Sequence, residues 1–145
     1  MPPRTLTGSI RTDLMYISEV IGAGEIAIAD RRSTAPTTAE LARLVSDAYV
    51  GGILSGKRGP VHFHVGEAKE RLGKLRELLS EHEVQPESLY PTHVERNEAL
   101  VREAIDLTRR GVTVDMDVME EDLAIWAPFY LKNGGDPSRL TISSE

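Results

Sequence analysis

Two histidines, His62 and His64, stand two residues apart in the run Val61-His62-Phe63-His64-Val65-Gly66. In an extended chain side chains alternate faces, so both imidazoles point one way and Val61, Phe63 and Val65 the other. A polar face that is buried needs partners for its nitrogens. The same parity, applied to the other apolar runs, collects Glu25, then Thr113, Asp115 and Asp117, then Thr141, Ser143 and Glu145. His93 stands where a further run ends, just before a turn. Imidazoles and carboxylates presented together are the ligand chemistry of zinc and similar divalent ions. Glu25 adds an independent reason, because a carboxylate in an apolar strand is expensive to bury unless a cation offsets its charge. The residue types point to a divalent-metal site, with the histidine run as one wall.

Hydrophobic periodicity predicts the elements that must hold these groups. Leu14 and Ile17 predict a helix over roughly residues 9–19. Val20 to Asp30 is short and apolar and reads as a buried strand, with Ile26 and Ile28 opposite Glu25, Ala27 and Ala29. Thr37 and Glu40 are spaced as a capping box for an amphipathic helix through Leu41, Leu44, Val45, Ala48 and Tyr49, and Gly51-Gly52 and Gly56 punctuate its end. The histidine strand follows, then a helix carrying Leu72, Leu75, Leu78 and Leu79. Ser88 to Val94 reads as a strand interrupted by Pro91, and Asn97 caps a helix that Gly111 stops. Val112 to Val118 alternates as a strand, Glu120 to Leu131 reads as a helix containing Pro128, and Leu140 to Glu145 begins a last strand. The fold class is α/β, with about five parallel strands alternating with helices. That is too few to close an eight-stranded barrel, so either the sheet is open or the chain is a piece of one.

With 145 residues the chain suits one domain, and 40% hydrophobic against 28% charged residues is ordinary for a globular protein. Its 17 Lys and Arg against 23 Asp and Glu give a net charge of −6, which argues against generic nucleic-acid binding. Cysteine is absent, so disulfides and thiolate zinc sites are excluded and a reducing compartment fits. Neither a signal peptide nor an apolar run of membrane-spanning length is present, so the expectation is a cytoplasmic protein with no membrane partner.

Five motifs occur in order: Gly24-Glu25-Ile26-Ala27-Ile28-Ala29-Asp30-Arg31-Arg32-Ser33, Leu54-Ser55-Gly56-Lys57, Val61 to Gly66, Pro91-Thr92-His93-Val94-Glu95-Arg96-Asn97, and Leu140-Thr141-Ile142-Ser143-Ser144. Together they resemble the isoaspartyl dipeptidase (β-aspartyl peptidase) family of the amidohydrolase superfamily. The resemblance runs over essentially the whole chain. It implies a TIM-type (β/α)8 barrel, of which residues 1–145 form part. It further implies a centre of two divalent metal ions, usually zinc, and hydrolysis of β-aspartyl dipeptide amide bonds. Carried over by position, His64 and His93 resemble histidines that bind one metal. Glu25 stands where many members carry a carboxylated lysine bridging both metals, and its carboxylate can serve the same purpose. Arg32 and Arg96 match arginines that hold the substrate carboxylate, a task suited to a planar guanidinium. Glu145 stands in place of the family's aspartate, which is a metal ligand and general base. The extra methylene moves the carboxylate by about an ångström or more, enough to hurt a positioned base. The family's first His-x-His pair would lie upstream of Met1, so the chain is read as the middle-to-late part of the barrel, with little activity expected of it alone.

Plainer readings stand beside each of these. A lone strand histidine is more often a satisfied core or surface group than a ligand, and motif order together with parity is what singles out His64 and His93. His62 shares their face but is left as a supporting or structural group. Asp115 and Asp117 read as strand-end caps or water-binding groups, and Arg96 as a salt-bridge partner. Two rival functions remain: a catalytically incompetent fragment that binds at most one divalent metal, and an α/β interaction module that associates through exposed strand edges. Homo-oligomerisation stays open at this level.

Overall fold

Alternation decides which residues the sheet buries. In the structure, a computed structural model that describes residues 4–33, 35–118 and 122–144, Val61, Phe63 and Val65 are fully buried while His62 and His64 are partly exposed. Ile26 and Ile28 are buried and Glu25 is not, so the parity read from sequence holds on both strands. The elements run α1 (Ile10–Tyr16), β1 (Ala23–Ile28), α2 (Thr38–Ser55), β2 (Val61–Val65), α3 (Gly73–Glu81), β3 (Leu89–Thr92), α4 (Glu98–Arg109), β4 (Val114–Asp117), α5 (Asp122–Lys132) and β5 (Leu140–Ser143). Strand and helix alternate, and every described pairing is parallel: β1 with β2, β2 with β3, and β4 with β5. Among the described residues no helix is long and apolar enough to cross a membrane.

Local chemistry sets the boundaries. Thr37 and Glu40 form the capping box of α2, and the Asn97 side chain accepts from the Leu100 N–H to cap α4. The first strand starts at Ala23 rather than Val20. The Lys57 Nζ takes the carbonyls of Leu14, Ile17 and Val20 at 2.7–2.8 Å, folding the approach to β1 into a turn beneath α1. Gly51 and Gly52 do not end α2, which continues to Ser55 and stops at Gly56 with φ 73°. Those two glycines serve packing instead. A Cβ on Gly51 would lie 2.9 Å from the Arg11 carbonyl oxygen, and one on Gly52 2.8 Å from the Arg58 carbonyl carbon.

The strands form two ladders, β1-β2-β3 and β4-β5. Side chains bridge the gap between them. Thr92 Oγ1 donates to Asp115 Oδ2 at 2.7 Å, and the Tyr90 hydroxyl donates to Asp115 Oδ1 at 3.1 Å. From β5, Thr141 Oγ1 and Ser143 Oγ donate to the same carboxylate at 2.7 and 2.6 Å. Asp115 is 1% exposed and ties three strands together through four hydroxyls. It is an internal fastener rather than a strand-end cap.

Candidate metal centre

Each of the three sequence-predicted metal ligands is aimed by a local backbone feature. In β1 the register against β2 shifts between Ala23 and Ile26. Gly24 there has φ 146° and the Gly24–Glu25 peptide is cis. A Cβ on Gly24 would stand 2.7 Å from both the Cβ and the carbonyl oxygen of His62, so only glycine fits, and the irregularity turns the Glu25 carboxylate toward β2. His64 lies inside β2, paired with Ala27 on one side and Thr92 on the other. His93 follows the end of β3 with φ 64°, a left-handed conformation that non-glycine residues adopt chiefly where surrounding structure enforces it.

These features bring the ligands together. One ligating atom each from Glu25, His64 and His93 can be chosen so that all lie within 4.8 Å of one another. His64 Nδ1 is 3.1 Å from Glu25 Oε1, and His93 Nε2 is 3.8 Å from the same oxygen. The two imidazole rings meet edge to face with centroids 4.5 Å apart. Neighbouring ligand atoms around a tetrahedral zinc ion, with bonds of about 2.0–2.1 Å, are roughly 3.3 Å apart. The observed spacings bracket that value. His64 Nδ1 bonds to Glu25, while its Nε2 is buried 3.9 Å from Asp30 Oδ2 and has no hydrogen-bond partner among the described residues. The donor set, two imidazoles and a carboxylate, fits a divalent cation. One premise needs correction. The Glu25 side chain is 36% exposed, so its charge is not buried, and the feature that remains is its place beside two histidines.

Beside this cluster Asp30, Arg31, Arg32, Gly66, Glu67, Ala68 and Arg96 line a groove of about 360 Å³. The structure thus places Arg32 and Arg96 on one groove. Arg32 is held by Asp30 through Nε at 3.1 Å and Nη2 at 2.9 Å, and its side chain is 79% exposed. The Arg32 side chain and backbone N–H hold the Asp30 carboxyl down to about 2. Arg96 sits on a short 3-10 turn, Val94–Arg96, with its Nε buried and unpartnered among the described residues. Burial pushes the neighbouring Glu95 carboxyl above its ordinary value. His62 lies one register step deeper than His64, its ring 5.1 Å from that of Tyr90, and does not join the cluster. Glu145 lies outside the described residues.

Asp117 was not singled out by sequence as a site residue. It is 2% exposed, and its Oδ2 lies 3.6 Å from His93 Nδ1. A signal for it does exist in the sequence. Asp117 ends its strand, shares the parity of Asp115, and stands beside a strand that ends in His93.

No protein-family model matches the chain. Solved structures do. The β-aspartyl dipeptidase of Fervidobacterium islandicum AW-1, crystallised in complex with a β-Asp-Leu dipeptide, matches with a TM-score of 0.91 at 40% identity, covering 99% of this chain and 39% of that one. A second crystal structure of β-aspartyl dipeptidase from the same organism matches with a TM-score of 0.89 at 38% identity, covering 99% and 40%. The chain therefore spans about two fifths of the length of the protein it matches. Over nearly its whole length it is similar in sequence and backbone to β-aspartyl dipeptidase, and its parallel strands and helices form part of the corresponding α/β barrel.

Proposed function

We propose that these residues belong to a metal-dependent hydrolase that cleaves the amide bond of β-aspartyl dipeptides. The observation that carries this reading is the convergence of Glu25, His64 and His93, on two strands and the turn after a third, within 4.8 Å in a chain 40% identical to a β-aspartyl dipeptidase. His64 and His93 would hold one divalent ion, zinc being the best match to the donor set, and the Glu25 carboxylate would extend between that ion and a second. Bound there, the metals supply Lewis acidity toward the amide carbonyl and toward the attacking water.

The remaining work falls to the chain. Arg32 and Arg96 line the groove beside the cluster and would fix the substrate's carboxylates by paired N–H donors. Arg96 suits this because its buried Nε awaits an acceptor among the described residues. Gly66 keeps the groove wall thin, since a Cβ there would stand 2.5 Å from the Ala29 carbonyl oxygen. A general-base carboxylate, assigned to Glu145 on sequence alone, would take a proton from the attacking water and pass it to the leaving amine.

The test is hydrolysis of β-Asp-Leu against α-Asp-Leu by the whole protein, with zinc and after chelation. Zinc-dependent release of leucine from the β-linked dipeptide alone is expected. Equal cleavage of both dipeptides, or cleavage that survives chelation, contradicts the reading. Zinc binding with no turnover by the whole protein would instead support a remnant that binds metal without catalysis.

A further inference from the structure

We propose that Asp117 is the positioning residue for His93: its carboxylate holds the proton on Nδ1 and leaves the Nε2 lone pair directed at Glu25 and His64. This rests on the metal-centre reading and adds to it a group outside the ligand set. His93 is 4% exposed and Asp117 is 2% exposed, so neither depends on bulk water for its polar contacts. The two imidazole nitrogens face opposite ways. Nε2 lies 3.8 Å from Glu25 Oε1, while Nδ1 lies 3.6 Å from Asp117 Oδ2. The ring of His93, on a left-handed backbone, stands between these two carboxylates.

The contrast with Asp115 gives the argument its weight. Both aspartates are buried on β4, two residues apart. Asp115 accepts from the hydroxyls of Thr92 and Ser143 and from the hydrogen-bonded Tyr90–Thr141 pair, whereas both oxygens of Asp117 lack a hydrogen-bond partner among the described residues. A buried carboxylate without a donor is costly, and the group placed to relieve it is the Nδ1–H of His93. A shift of a few tenths of an ångström closes 3.6 Å to a hydrogen bond. Neutral imidazole in water favours the Nε2–H form, which would turn a proton toward the cluster. A carboxylate on Nδ1 reverses that preference and raises the basicity of the ligating nitrogen.

The experiment uses the whole protein that carries these residues, metal-free, as wild type, Asp117→Asn and Asp117→Ala. Ring 15N shifts of His93 report the tautomer, and calorimetric titration with zinc reports affinity. The wild type is expected to show neutral His93 protonated on Nδ1. Asp117→Ala should move it to the Nε2–H form and weaken zinc binding by about 10–100-fold. Asp117→Asn keeps an acceptor oxygen, so it should retain the Nδ1–H form with a smaller loss, and it carries the test if the alanine variant does not fold. An Nε2–H tautomer in the wild type, or zinc affinity within twofold across all three proteins, overturns the proposal. Failure of the metal-centre reading looks different: the wild type binds no zinc, while the tautomer still reports on the Asp117–His93 contact.

Discussion

Gly24 and His93 show how single residues aim this site. The 2.7 Å approach of a Gly24 Cβ to His62, at φ 146°, leaves no room for a side chain. Gly24→Ala is therefore expected to destabilise the chain by about 1–3 kcal/mol and to displace the Glu25 carboxylate. Urea unfolding together with zinc titration checks this; unchanged stability would show that β1 can relax around the methyl. At this scale strand parity places Glu25 and His64 and motif order adds His93, and the structure brings the three within 4.8 Å of one another; burial was not legible. Exposure at Glu25 and burial at Asp117 depend on neighbouring strands, which no local pattern reports. The groove arginines Arg32 and Arg96 were found by resemblance alone, since spacing carries no sign that residues 64 apart in sequence share a wall.

Among the elements, caps and cross-strand hydroxyls carry stability that can be measured separately from the site. Thr37 donates its N–H and hydroxyl to Glu40 Oε2, both at 2.8 Å, and those bonds lower the Glu40 carboxyl below its ordinary 4.5. A carboxyl lowered in the folded state stabilises fully above its unfolded value, and the contribution is lost as pH falls through the folded value. Thr37→Ala should cost about 1 kcal/mol at neutral pH and make the loss of stability below pH ~4.5 shallower than in the wild type. A parallel pH dependence would show that the box does not form. At β4, Asp115→Ala leaves the buried Thr92 hydroxyl and its partners on Tyr90, Thr141 and Ser143 without their acceptor, and should cost at least about 2 kcal/mol. Thermal unfolding decides it, and a change below about 0.5 kcal/mol would mean water replaces the carboxylate. The capping box and the Asn97 cap were legible because both are local codes. The continuation of α2 through Gly51-Gly52 was not, because close approach to Arg11 and Arg58 is a tertiary fact.

For the whole molecule, the order of helices and strands and their parallel sense followed from periodicity. The split into β1-β2-β3 and β4-β5 did not, because alternation fixes which face a residue takes and not which strand supplies the next ladder bond. Glu25, His64 and His93 come from β1, β2 and the turn after β3, so the proposed centre would exist only when three strands assemble. Zinc binding there would consequently be linked to folding. The most direct measurement is the thermal unfolding of the 145-residue chain with and without zinc, for the wild type and His64→Ala. At zinc about 100-fold above its dissociation constant, the wild type should gain about 2.7 kcal/mol with a rise in Tm, and His64→Ala should gain little at the same concentration. An equal rise in both proteins, or none in the wild type, would contradict a metal centre at Glu25, His64 and His93.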